Sequence, residues 1–187
     1  MPDAAASPAF ATERLLVRDW RLSEAGRMLD MYSRDDVVRF LGSVPTPMTG
    51  LEQATARIAR ARERNERERV AGSPCGWWAV EVAETGQVAG TVAVLHVDGD
   101  DDAPVEVAWH LHPDAQGRGY ATEAARGAFD HAHRAGLAEV LALTDEANAA
   151  SQAVCRRLGL DLVEVSPTAR PPVSRSMSSC PARRTRR

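Results

Sequence analysis

The chain has no lysine: all 23 of its basic residues are arginine, and isoleucine occurs once, at Ile58. Both absences fit the codon usage of a GC-rich genome and say nothing about chemistry. The cysteines are only three, Cys75, Cys155 and Cys180, odd in number, far apart and never in a C-x-x-C pair. That argues against a disulfide framework and against a cysteine zinc site, and predicts a reducing compartment. No apolar run approaches the length of a membrane span, and the opening MPDAAASPAF has neither a basic start nor an apolar core. Neither a membrane anchor nor a signal peptide is therefore expected, and the expected location is cytoplasmic.

What is present fits one domain: 187 residues bury a core without staples. The net charge of −3 hides an asymmetry, because residues 166–187 contain six arginines and no acid, so the remainder carries −9. An acidic body argues against general nucleic-acid binding.

The pattern divides into strands and helices in a readable order. RLLVRDW (Arg14 to Trp20) alternates as a strand does, and Ser23 is then placed as the N-cap of a helix through SEAGRMLDMY. After Pro45 and Pro47, Thr49 is placed to cap a second helix with Leu51, Ala54, Ile58 and Ala61 on one face. Its far end, RARERNERER, alternates in sign and reads as a solvated helix end. From Trp77 the period becomes two: WWAVEVA, a turn at ETGQ, VAGTVAVLHV, an acidic loop, and VEVAWHL predict three antiparallel strands. The acidic loop DGDDDAP lacks the alternating ligands of a calcium loop and reads as a solvated connection.

Downstream, Ala121, Ala124, Ala125, Ala128, Phe129 and Ala132 form an apolar face, with Gly136 as the residue that ends the helix. AEVLALT (Ala138 to Thr144) predicts a strand, NAASQAVCRRLG (Asn148 to Gly159) a helix, and LDLVEV a last strand. Strand, helix and strand in that order imply a parallel crossover.

Between VEVAWHL and the alanine-faced helix lies HPDAQGRGYATE, with Gly117 and Gly119 on either side of Arg118. Glycine is costly inside a helix, and two at alternate positions ahead of a helix start ask for a reason. A strand-to-helix loop aims several backbone N–H groups at one spot, where the helix dipole adds roughly half a positive charge: an anion site. Side-chain-free glycines let phosphate oxygens reach those amides, and Arg118 adds a charged contact at the rim. A tight turn alone is the plainer alternative. The run lacks the G-K-[ST] ending of a P-loop, and Thr122 stands where a dinucleotide fingerprint has its third glycine or alanine.

Gln116-Gly117-Arg118-Gly119-Tyr120-Ala121 resembles the Q/R-x-x-G-x-G/A pyrophosphate loop of the GNAT acetyltransferases, and its surroundings resemble the branch that contains the ribosomal-protein N-terminal alanine acetyltransferases. TERLLVRDW is similar to that branch's opening strand, WWAVEVAETGQVAGTVAV to its central hairpin, VEVAWHLHPDAQGRGYATEA to its fourth strand and cofactor loop, and NAASQAVCRRLGL to its N-x-x-S helix. The segments keep the family's order over residues 12–165.

The resemblance implies an α/β (α+β) fold, a mixed and mostly antiparallel twisted sheet flanked by helices. It implies transfer of the acetyl group of acetyl-CoA to a primary amine by direct attack, with no metal. The pyrophosphate would lie on Gln116, Gly117, Arg118, Gly119, Tyr120, Ala121 and Thr122. The pantetheine arm would run beside Trp109, His110, Leu111 and His112 as a surrogate strand, with an amide near Leu111 on the thioester carbonyl. Glu106 is the candidate base, the alternative being a carboxylate that bonds the sheet or binds the substrate amine. Many members place a tyrosine where this chain has Cys155; Ser151 is then the donor or partner to the departing sulfur, with Asn148 on the pantetheine amides. Cys155 itself reads as a small buried hydrophobe or, alternatively, a catalytic thiol. His110 and His112 share a strand face but lack a third ligand, and His131 and His133 lie on different helix faces, so no metal site is expected.

Members of the family close with two antiparallel strands, whereas the text after Val165 has no alternation, several prolines and serines and a basic end. Residues 166–187 are therefore expected to be a disordered tail, and the usual C-terminal strand pair to be altered or missing. Two other classes follow from that ending: a catalytically weak acetyl-CoA binder, and a ribosome- or RNA-associated module using the arginine tail. The acceptor is open, and the expected state is monomer or homodimer.

Overall fold

The computed structural model describes residues 7–41, 45–97, 103–164 and 175–179. Its strands are β1 (Pro8–Ala11), β2 (Leu15–Arg18), β3 (Gly76–Val82), β4 (Val88–His96), β5 (Val105–Leu111), β6 (Leu141–Asp145), β7 (Asp161–Glu164) and β8 (Arg175–Ser179). They form one sheet in the order β1-β2-β3-β4-β5-β6-β8-β7. Every neighbouring pair is antiparallel except β5 and β6, which run parallel. The helices are α1 (Ala25–Tyr32), α2 (Asp35–Val38), α3 (Leu51–Ala71), α4 (Tyr120–Arg134) and α5 (Ala149–Leu158). None is long and apolar enough to cross a membrane.

The period of two in β3 builds a core on each side of the sheet. Trp78 and Val80 face one way and join Phe10, Val17, Val92, Val107 and the alanine face of α4. Trp77 and Ala79 face the other way and join Trp20, Met28, Met31, Tyr32 and Ile58 under α1 and α3. Alanines at positions 124, 125, 128 and 132 are all but fully buried, which lets α4 lie close to the sheet. Its end follows the glycine rule: Gly136 takes φ +99°, and the Leu137 N–H reaches back to the Ala132 carbonyl at 3.2 Å.

Local capping departs from the expected pattern at two places. A 3-10 turn at Leu22–Glu24 precedes α1, and there the Glu24 carboxylate accepts from the Arg21 N–H at 2.9 Å, so Ser23 is not the N-cap. At α3 the N-cap is Gly50, while the Gln53 side chain accepts from the Thr49 N–H at 2.9 Å; the reciprocal bond displaced the hydroxyl cap expected of Thr49. Leu51 is correspondingly exposed, leaving Ala54 and Ile58 to make the buried face.

Two strands were not legible. β1 lies ahead of residue 12, and its proline stands at the first position of an edge strand, where the missing N–H does no harm. Five residues of the stretch expected to be a disordered tail, Arg175 to Ser179, form β8 instead. Arg175 to Ser179 fill the gap between β6 and β7, pairing Leu141 with Ser179 on one side and Asp161 with Ser179 on the other. Ladder bonding is a backbone property, so open edges on two strands recruit an extended, proline-free segment whatever its side-chain pattern. Residues 166–174 and 180–187 lie outside the described residues.

One buried amide ties the end of α3 to the sheet. Asn65 Nδ2 donates to Asp19 Oδ1 at 2.7 Å and to the Trp77 carbonyl at 3.0 Å, and Asn65 Oδ1 accepts from the Trp77 N–H at 2.8 Å. Replacing it strands three buried partners. Asn65→Ala is expected to cost about 2–4 kcal/mol of unfolding free energy in urea titration. A loss below about 1 kcal/mol would show that the amide holds nothing.

Candidate active site

The glycine loop sits at the C-terminal end of β5 and delivers the chain into α4. Gln116 is extended, Gly117 takes φ +75°, and Gly119, the N-cap of α4, takes φ +81°. A Cβ on Gly117 would meet nothing within 4 Å, so its glycine is required by conformation and the space beside it is open. No side chain caps Gly119, which leaves the N–H groups of Tyr120, Ala121 and Thr122 facing that space. Gln116 to Gly119 are exposed.

Both ends of the loop are braced by ion pairs. Upstream, buried His112 places Nε2 at 2.8 Å from Asp30 of α1 and Nδ1 at 2.8 Å from Asp114. Arg27 of α1 grips Asp114 through two bonds of 2.9 and 2.7 Å, and this partner holds the Asp114 pKa down at about 2. Downstream, Glu123 in the first turn of α4 accepts from Thr12 Oγ1 at 2.6 Å, the Arg14 N–H at 2.8 Å and Arg14 Nε at 2.7 Å. The Arg14 guanidinium lies 4.9 Å from the Tyr120 ring and donates to the Arg118 carbonyl at 3.2 Å. Arg14 is thus a second cation at the loop, absent from the sequence reading because it lies some hundred residues away in the chain.

The strand that ends in this loop loses its neighbour. β5 and β6 share a single paired position, Glu106 with Leu141, and then part. The His112 N–H donates to the Ala89 carbonyl of the β4 side at 2.9 Å, so by strand alternation the N–H groups of Trp109 and Leu111 face the opening. Gln116 Nε2 meets the Leu111 carbonyl there at 3.3 Å.

On the α3 side of the sheet the parting of β5 from β6 opens into a cavity of about 720 Å³. Glu106, Ala108 and His110 of β5 and Thr144 and Asp145 of β6 form its floor; Arg57, Arg60 and Arg64 of α3 form its wall. The stretch read as a solvated helix end therefore supplies Arg60 and Arg64 to a cavity. His110 turns into this cavity, with Nδ1 at 3.2 Å from the Tyr32 hydroxyl, which donates to Thr91 Oγ1 at 3.2 Å. Burial, reinforced by the charge of Arg57, lowers the His110 pKa to about 4, and burial raises that of Tyr32 to about 12.

At the far end of β6, the Asn148 side chain accepts from the Ser151 N–H at 3.1 Å and caps α5. Its carbonyl oxygen is so engaged. Cys155 is buried in the α4-side core, in line with a small hydrophobe. The structure thus brings Gln116 to Thr122 together at one end of β5, Glu106 and His110 on one cavity floor, and Asn148 with Ser151 at the next helix start. The side chains of His110 and His112 are turned toward α1 rather than into the open space beside the glycines, one toward Tyr32 and the other toward Asp30. Among the described residues no three His, Cys, Asp or Glu side chains gather as a metal site.

A family model described as an acetyltransferase (GNAT) domain matches residues 14–161. Among solved structures, an acetyltransferase from Agrobacterium tumefaciens str. C58 superposes with a TM-score of 0.71 at 22% identity over 91% of this chain and 92% of that one. The ribosomal-protein-S5-alanine acetyltransferase from Vibrio fischeri gives 0.67 at 16% identity over 95% and 98%. The microcin C7 self immunity acetyltransferase MccE, solved in complex with acetyl-CoA and AMP, gives 0.73 at 15% identity over 96% and 99%. These likenesses are of fold. The family match spans most of the chain, and with the glycine loop at the end of a strand that parts from its parallel neighbour it leads to one conclusion: the protein belongs to the GNAT family and is an acyltransferase.

Proposed function

We propose that the protein transfers the acetyl group of acetyl-CoA to a primary amine by direct attack in a ternary complex, with residues 12–165 as the catalytic unit. The observation that supports this best is that the open edge of β5 and the exposed N–H groups of the α4 start are continuous. A molecule with an amide-rich arm and a pyrophosphate has both ends matched: the arm pairs with Trp109 and Leu111, and the phosphates rest on residues 116–122 with Arg118 and Arg14 at the rim. The acetyl-CoA in the MccE complex is consistent with that assignment.

In the reaction, the amine nitrogen bonds the thioester carbonyl carbon, the carbon–sulfur bond breaks, and the amine proton leaves. The N–H of Trp109 or Leu111 stabilises the charge that develops on the carbonyl oxygen. Trp109 lies three residues from Glu106, about 10 Å along the strand, so the proton reaches the Glu106 carboxylate through water in the cavity. Ser151 hydrogen-bonds the departing sulfur, with Asn148 on the arm. His110, neutral at pH 7, offers its one acceptor nitrogen to the incoming amine.

The alternative of a catalytically weak acetyl-CoA binder rested on a broken C-terminus; β8 beside β6 favours the active enzyme. The arginine tail on which the RNA-associated module rests lies, apart from Arg175, outside the described residues.

Acetyl-CoA at about a hundred times its dissociation constant is expected to add roughly 2.7 kcal/mol of stability, seen as a thermal shift that adenine nucleotides, which lack the amide-rich arm, do not match. Gly119→Ala, which forces a side chain into the left-handed region at about 1–2 kcal/mol, should weaken that shift. A folded protein with no shift would refute the assignment of the loop. Glu106→Gln is expected to lower kcat by about a hundredfold or more and to remove the acid limb of the rate profile, and an unchanged profile would take Glu106 out of the mechanism.

Because the folded His110 pKa of about 4 lies below its value in the unfolded chain, only the unfolded chain takes up a proton between pH 6.5 and 4. Stability should fall across that window as pH drops. His110→Gln should flatten the melting temperature against pH there; parallel curves for the two proteins would contradict a buried neutral ring.

A further inference from the structure

The cavity beside Glu106 is cationic in a protein whose body is acidic. Arg39, Arg57, Arg60 and Arg64 line it against two carboxylates, Glu106 and Asp145. Several arginines elsewhere sit on acids: Arg14 on Glu123, Arg18 on Glu24 and Glu81, Arg27 on Asp114, Arg34 on Asp30. In the cavity such pairing is sparse. Arg57 is held over the Tyr32 and Trp77 rings at 4.9 and 5.0 Å, and Arg39 over Phe40 at 4.7 Å. Arg64 reaches only Glu68 of its own helix, at 3.9 Å. Among the described residues, Arg57 and Arg60 have no carboxylate partner.

The signs are also sorted by wall. The arginines lie on α3 and on the segment before it; both carboxylates lie on the sheet. Arg57, half-buried under two ring faces with its hydrogen-bonding edge unused, and exposed Arg60 one helical turn on match a bidentate anion, because a guanidinium fork fits carboxylate and phosphate geometry. A carboxylate floor matches an ammonium. A volume of about 720 Å³ with Trp77, Phe40 and Leu95 in its lining also leaves room for an apolar body.

We infer that the acceptor is a zwitterionic small molecule, a primary amine that also bears a carboxylate or a phosphate ester, with its anion on Arg57 and Arg60 and its amine toward the sheet floor. This rests on the acetyl-transfer reading of the same site and names its substrate class. It excludes an internal peptide segment and disfavours a protein N-terminus, whose α-amine has an amide where this wall asks for an anion.

The test is acetyl-CoA-dependent acetylation of matched pairs: phenylalanine and methionine against their amides, and phosphoethanolamine against ethanolamine. The anionic member of at least one pair should show kcat/KM about tenfold or more above its neutral partner, the size of one charge-assisted hydrogen bond. Which pair shows the gap separates carboxylate from phosphate recognition. In Arg60→Gln, an exposed position that tolerates substitution, and in Arg57→Gln, the gap should close mainly through KM, while the thermal shift with acetyl-CoA stays as in the parent. Neutral partners used as well as anionic ones, a gap that survives both substitutions, or no anionic amine acetylated by protein that binds acetyl-CoA would each overturn the inference and leave the cofactor reading standing. Loss of acetyl-CoA binding in the parent protein would instead remove the reading on which it rests.

Discussion

The parting of β6 from β5 after one shared position, Glu106 with Leu141, is the constraint on which the site depends. Beyond it, the backbone groups of Trp109 and Leu111 on that side have no strand to bond. Backbone N–H and C=O left away from water cost as much as lost hydrogen bonds, so such an edge persists where solvent or a ligand completes it. The edge is at once the slot for an extended amide-bearing molecule and the mouth of the cavity on the α3 face. A sheet zipped to the end of β5 would have neither.

The two faces of the sheet divide the labour. Trp78 commits one face to α4, whose alanine stripe brings its N-terminus against the end of β5; Trp77 commits the other to α1 and α3. The glycine loop belongs to the first layer but is tied to the second, through His112 on Asp30 and Asp114 on Arg27. Glu123, bonded to Thr12 and Arg14, fixes the other foot. A loop with two glycines at positive φ would otherwise sample many conformations, and these pairs leave its amides aimed in one direction. Ion pairs that are weak contributors to stability on a surface thus act here as geometry.

What could be read from sequence divides along the range of the interaction. The hairpin, the glycine loop, the alanine face and the Asn148 and Gly159 caps are local patterns, and they recur in the structure within a few residues of where the pattern puts them. Ser23 and Thr49 were misread because a carboxylate or amide three or four residues on can satisfy the same end. β1 and β8 were invisible since ladder bonds made with distant strands leave no periodicity in so short a segment. Arg14 at the loop and the arginine wall were missed for a similar reason. A helix of alternating sign looks solvated all round until the sheet it crosses is known, and only the fold shows that Asn65 is buried and that Arg57, Arg60 and Arg64 face a cavity.

That wall also gives the absence of lysine a consequence. An ammonium is compact and strongly hydrated, and beside Tyr32 and Trp77 it would be pulled toward water. A guanidinium is planar and weakly hydrated, so its face can rest on the two rings while its edge stays free to bond. The cation–ring contact offsets part of the cost of keeping Arg57 half-buried without a counter-ion, and the same charge, with burial, keeps His110 neutral on the floor below. With arginine in place of lysine throughout, the chain holds at Arg57 a cation that can wait, unpaired and partly dry, for an anion to arrive.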